Sequence, residues 1–231
     1  MFPTGLFSAT VILPLFDSNP RNVVAPVTLT VIVANMAVFA FQMLLSRQGS
    51  LEPFILTHAF VPASVGTEST AMVLKTVFTS LFLHGGLLHL AANLWFLFIF
   101  GPPVEHRLGS AATFLVYFFG GLGAAAAQFA VNPASTLPMI GASGAVAGIL
   151  GAYLLRFPFS MVITLVPWII PLIPIPAFVF LFIWFALQFY MGVSELMQTD
   201  ITAGIAWWAH IGGFLTGLFL SLFMPSRRGK R

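Results

Sequence analysis

The chain is predicted to be all-α and polytopic, a membrane protein whose six transmembrane helices form one bundle. Three observations predict this. Of 231 residues, 59% are hydrophobic and only 6% charged, and the mean hydropathy is +1.01. A soluble globule does not carry so few charges. The apolar residues also fall into runs near the ~20 residues that a helix rising ~1.5 Å per residue needs to cross a bilayer.

Taken in order, residues 1–26 read as an interfacial or flexible leader, because Leu6 to Phe16 are apolar but lack a preceding positive charge and contain Pro14. The first span runs from about Val27 to Leu45. From Gln48 to Phe82, Glu52, Pro53, Pro62, Glu68 and Lys75 alternate with Phe54, Phe60 and Phe78, a mixture that predicts short amphipathic helices lying in the interface. The second span runs from about His84 to Phe100 and stops at Gly101-Pro102-Pro103. The third, Ala111 to Val131, is rich in glycine and alanine, which let helices approach closely. The fourth opens at Ser143 and reaches only about Leu155. Four prolines between Met161 and Pro176 predict a buried or re-entrant connection. The fifth span covers Ala177 to Met191, a polar loop holds Glu195 and Asp200, and the sixth covers Ala203 to Phe223. The membrane domain is thus 27–223, followed by a basic tail, 224–231, with Arg227, Arg228, Lys230 and Arg231.

Six spans put both termini on one side, with Arg21, Arg107, Arg156 and the tail, against Arg47 and Lys75 on the other. The positive-inside rule then places both termini in the cytoplasm, as in a prokaryotic plasma membrane. The basic excess reads as membrane flanking, with no nucleic-acid partner. Without cysteines, disulfides, thiolate metal sites and a cysteine nucleophile are excluded.

The fourth span, at ~20 Å, is shorter than a ~30 Å hydrocarbon core, so Ser143 is expected about 10 Å beneath the outer surface. His89, five residues into the second span, and His210, seven into the sixth, come out at a similar depth, roughly 8–10 Å.

Ser143 is a weak nucleophile unless a base takes its proton, and His210 is the histidine in the later spans able to do so. No Asp or Glu lies inside a span to orient it, which predicts a dyad. His89 and Asn93, four apart, share a helix face and can donate to an oxyanion, helped by backbone N–H groups at Gly144. Each feature alone has a plainer reading: Gly141-Ala-Ser-Gly144 as a packing motif, His210 as a satisfied polar residue, His89 and Asn93 as an interhelical clamp. The set at one depth favours chemistry. His84 falls about 140° from His89 on a helix, so the two need not face one cavity and make a poorly aligned metal pair. Gly144 and Gly148, and Gly213 and Gly217, put glycines on one face of the Ser143 and His210 helices, where close backbone contact brings the pair together. Glu105 and Arg107 read as structural or capping residues.

The ordered set His84-Gly-Gly-Leu-Leu-His89-Leu-Ala-Ala-Asn93, Val104-Glu-His-Arg-Leu-Gly109, Gly141-Ala-Ser143-Gly144 and Ala209-His210-Ile-Gly-Gly213-Phe-Leu-Thr-Gly217 resembles the rhomboid intramembrane serine proteases. The resemblance covers roughly Val27 to Phe223. It implies Ser143 as nucleophile, His210 as base and then acid, and His89 with Asn93 as oxyanion stabilisers. It also implies a lateral first loop at 48–82 and a flexible cap near Glu195 to Asp200. Two features depart from the pattern: Ala147 stands where many members carry Tyr or Phe, and the Trp-Arg pair of the first loop is missing.

The expected activity is hydrolysis of peptide bonds in or next to transmembrane segments of single-span membrane proteins, from the outer side of the bilayer, with no metal or cofactor. The competing expectation is a non-catalytic relative that binds and guides membrane segments. A transporter would show inverted repeats and midplane polar residues, and neither is evident.

Overall fold

The structure, a computed structural model, describes residues 13–19, 24–166, 170–197 and 206–227. Residues 1–12 and 20–23 of the leader with Arg21, Pro167, Asp200, the proposed sixth-span start at Ala203, and the tail beyond Arg227 lie outside the described residues.

The described chain is mostly helical. Its elements are β1 (Leu13–Asp17), α1 (Pro26–Arg47), α2 (Leu51–His58), a 3-10 turn (Pro62–Ser64), α3 (Thr70–Ser80), α4 (Leu87–Leu108), α5 (Ser110–Val131), α6 (Ser143–Arg156), β2 (Met161–Val166), β3 (Ile170–Pro176), α7 (Ala177–Leu196) and α8 (Trp207–Phe223). Helices α1, α4, α5 and α7 are long and apolar enough to cross a membrane, and α6 and α8 are shorter apolar helices. The protein is therefore a multi-pass membrane protein. The first-loop expectation of short helices is met by α2 and α3.

Helix α6 is the axis of the bundle. From Gly144 to Tyr153 every residue is buried, because α4, α5, α7 and α8 all pack around it. Small residues set the spacing. A Cβ on Gly148 would lie 3.0 Å from the Gly120 Cα of α5, 3.1 Å from the Val116 carbonyl and 3.3 Å from the Gly213 carbonyl of α8. Close approach of bare backbones substitutes for the hydrophobic driving force that lipid does not supply.

Five expectations need correction. The all-α class gives way to a helical bundle carrying a three-stranded antiparallel sheet, in the order β1-β2-β3. The connection at 161–176 is a β-hairpin. Its prolines break a helix, but two of them, Pro174 and Pro176, are two residues apart in an edge strand. There their missing N–H groups fall on one edge and cost no ladder bond. Part of the leader is the third strand. Pro14 accepts a bond from Trp95 Nε1 of α4 at 2.6 Å, and buried Asp17 accepts from the Tyr153 hydroxyl of α6 at 2.7 Å. The sheet therefore runs from α4 to α7, at the end of α6 away from Ser143.

Helix α4 does not stop at Gly101-Pro102-Pro103 but continues to Leu108. The prolines leave the Phe98 and Ile99 carbonyls without helical donors; what carries the helix onward is Glu105. Its carboxylate, 2% exposed, accepts the Val27 N–H at 2.9 Å, the Thr28 N–H and hydroxyl at 2.8 Å each, and the Ser110 hydroxyl at 2.7 Å. It caps the N-terminus of α1 with negative charge and fastens α1, α4 and α5 together. Glu105→Ala leaves these donors unpaired and is expected to cost about 2–4 kcal/mol, read as a lowered thermal unfolding midpoint in detergent micelles. Helix α7 also runs past Met191 to Leu196, so Glu195 stands in its last turn and not in a loop.

Candidate active site

The loop before α6 is pinned at two points. Met139 N–H donates to the Phe60 carbonyl at 2.7 Å, and Gly141 N–H to the Ser80 carbonyl at 2.9 Å. Gly141 has φ +124, a region that L side chains rarely adopt. Space forbids a side chain there as well: a Cβ would lie 2.7 Å from Cε1 and 2.8 Å from Nε2 of His89, and 3.8 Å from Nδ2 of Asn93. This glycine lets the backbone come up against both side chains two residues before Ser143.

Ser143 is the first residue of α6, and Ala142 before it supplies no side-chain cap. The first intrahelical donor is Val146, to the Ala142 carbonyl. The N–H groups of Ser143, Gly144 and Ala145 therefore face the same end of the helix without helical partners. On α4, His89 Nδ1 receives the Gly85 N–H at 3.4 Å. A nitrogen that accepts carries no proton, so in the neutral ring the proton sits on Nε2, the atom beside Gly141. Asn93 Nδ2 is buried and has no hydrogen-bond partner. The His89 ring and the Asn93 amide thus meet at the Gly141 backbone, two residues before the uncapped start of α6.

His210 lies in the first turn of α8, next to the same glycines. A Cβ on Gly144 would lie 3.6 Å from the Ala209 carbonyl, and one on Gly213 would meet the Gly144 carbonyl itself. The close crossing expected from the two glycine pairs is present. No hydrogen bond joins Ser143 Oγ to His210; the engaged ring atom is Nδ1, 2.7 Å from Gln188 Oε1. The imidazole also lies against two indoles, Trp184 at 6.1 Å between centroids and Trp207 at 6.2 Å.

Several details depart from the sequence reading. Helices α4 and α8 begin at Leu87 and Trp207, so His89 and His210 each stand within a first helical turn rather than five to seven residues in. The three residues remain at one end of the bundle. His84 does pack on His89, ring centroids 5.2 Å apart. The helical-wheel angle fails because residues 84–86 precede the helix, with Gly86 fully extended. Gln42 of α1 holds this turn by bonding both the N–H and the carbonyl of His84 at 3.0 Å. The sequence reading takes only acids as partners of the base, whereas the side chain that meets His210 is the amide of Gln188. Ala147 offers the ring no aromatic partner from α6, and the indole of Trp184 beside it comes from α7. The signal for Gln188 was present as a polar residue inside an apolar span.

Comparison with known proteins matches residues 71–227 to the Rhomboid domain family. Among curated proteins the chain is similar to RHOMBOID-like protein 1 of Arabidopsis thaliana, 27% identical over 82% of this chain and 51% of that protein. It is similar to RHOMBOID-like protein 5 of the same plant, 33% identical over 64% of this chain and 43% of that one. Rhomboid protease GluP of Bacillus subtilis (strain 168) is 41% identical over 33% of this chain and 14% of its own length. The chain spans about half the length, or less, of these relatives.

Proposed function

The chain belongs to the rhomboid family, and from that premise we propose that it is an intramembrane serine endopeptidase. It hydrolyses peptide bonds in or beside transmembrane segments of single-span membrane proteins. In this reading the Ser143 hydroxyl attacks the scissile carbonyl, and His210 Nε2 takes its proton and returns it to the leaving amine. Water, activated by the same imidazole, then releases the acyl group. His89 Nε2–H, Asn93 Nδ2 and the Gly144 N–H stabilise the tetrahedral oxyanion.

The observation that carries this reading is the meeting of an unpartnered buried amide and an imidazole at Gly141, two residues before a serine that opens an uncapped helix. Donors arranged for charge that is not yet there fit an oxyanion site better than a packing contact. The proposed setting is a prokaryotic plasma membrane with cytoplasmic termini and the site opening outward, which follows from the distribution of basic residues.

The test is covalent labelling by a fluorophosphonate probe in detergent micelles. Wild type is expected to label, and Ser143→Ala and His210→Ala are not. A folded wild type that takes no label would favour the non-catalytic, segment-binding reading.

A further inference from the structure

We propose that Gln188 is the positioning residue of the base, fixing His210 as the Nδ1–H tautomer so that Nε2 keeps a free lone pair for Ser143. This inference rests on the serine-protease reading of the site. Gln188 is buried, 8% exposed, in the middle of α7, and its amide oxygen lies 2.7 Å from His210 Nδ1.

A carbonyl oxygen only accepts, so the ring must donate from Nδ1. A neutral imidazole has one N–H, and Nε2 is therefore the acceptor. The opposite amide orientation would donate to Nδ1, put the proton on Nε2 and present Ser143 with a donor in place of a base. A single side-chain rotation thus separates a competent site from an incompetent one.

An amide suits this place better than a carboxylate. It sets the tautomer without a buried negative charge, whose desolvation would cost several kcal/mol in a bundle surrounded by lipid. Trp184, one turn earlier on α7, sets the tilt of the same ring, 36° from the imidazole plane. The two residues together supply from α7 what Ala147 of α6 lacks the side chain to provide. Orientation of the base consequently depends on the docking of α7 against α8.

The experiment is nitrogen-15 NMR of histidine-labelled full chain in phospholipid nanodiscs, with His210 assigned from the His210→Ala spectrum. Cleavage kinetics on a transmembrane model substrate run in parallel. In wild type, His210 Nδ1 is expected to be the protonated, pyrrole-type nitrogen and Nε2 the pyridine-type one. Gln188→Leu, apolar and compatible with a lipid-facing fold, is expected to release the preference and lower kcat by about 10- to 100-fold at unchanged KM. Gln188→Glu, which keeps an acceptor in the same place, is expected to restore the Nδ1–H signal and most of kcat. A wild-type Nε2–H tautomer, or a Gln188→Leu spectrum identical to wild type, overturns the assignment. The spectra read the tautomer whether or not the protein cleaves anything. A wild type without activity therefore counts against the proposed reaction and leaves the NMR outcome to decide Gln188.

Discussion

Alanine at Ser143 or at His210 is expected to lower the rate of substrate cleavage by on the order of 10^4-fold or more, and alanine at both to lower it no further. In the proposed reaction the two side chains act in one proton transfer. Without the hydroxyl the imidazole has nothing to activate, and without the imidazole the hydroxyl keeps its proton at neutral pH. Losses from independent contributions would multiply, and these should not. On the proposed mechanism, what survives in each variant is the binding of the scissile segment and the donors proposed for the oxyanion, which do not depend on either side chain. Single-turnover kinetics on a fluorogenic transmembrane peptide would measure this. A double variant markedly slower than both singles would show that Ser143 and His210 do not work as a unit.

Gly213→Ala is expected to destabilise the bundle by about 3 kcal/mol, at the upper end of overpacking costs, and Gly213→Val to prevent folding. The new methyl would meet the Gly144 carbonyl, lie 2.8 Å from the Gly144 carbonyl carbon and 3.2 Å from the Gly120 carbonyl. All three are backbone atoms of helices that have no rotamer to change, so α8 must move away from α6 and α5. That movement opens the crossing on which the approach of His210 to Ser143 depends, so activity should fall with stability. Gly86 is the control, since a Cβ there meets nothing within 4 Å and its extended backbone accepts any residue. Thermal unfolding in micelles would separate the two. Equal midpoints for Gly213→Ala and Gly86→Ala would show that the crossing is slacker than these distances imply.

The parts of this fold written in glycine spacing were legible. Gly144 with Gly148 and Gly213 with Gly217 announce a close crossing, because in lipid little else brings two backbones together. The number and order of the apolar helices were legible too, from run length alone. Some helix ends were not, although Val131, Ser143, Ala177 and Phe223 stand where the sequence reading puts them. Gly101-Pro102-Pro103 has the local chemistry of a stop, yet Glu105 makes three long-range bonds to α1 and one to Ser110 that reward continuing the helix, and tertiary contacts outweigh local preference. The hairpin at 161–176 was hidden for a related reason, since prolines that break a helix also suit an edge strand and an apolar run does not say which. Gln188 was missed because the expected chemistry of an orienting group is acidic. An amide gives the same geometry without the charge, and geometry does not show in composition.

The pairing of β1 with β2 sets an order of events during synthesis. Ser18 and Met161 are bonded across 143 residues, so β1 is made well before its partner and receives it only after α6 has been made. At ~5–20 residues per second that interval is on the order of ten seconds, during which α1, α4 and α5 enter the bilayer with the amino-terminal segment still unpaired. When β2 arrives, the strand closes over the outer edge of the hairpin, and Asp17 meets Tyr153 in the same step. Completion of the sheet therefore marks a late stage of assembly, when the axis helix is in place and strands made far apart in time first hold each other.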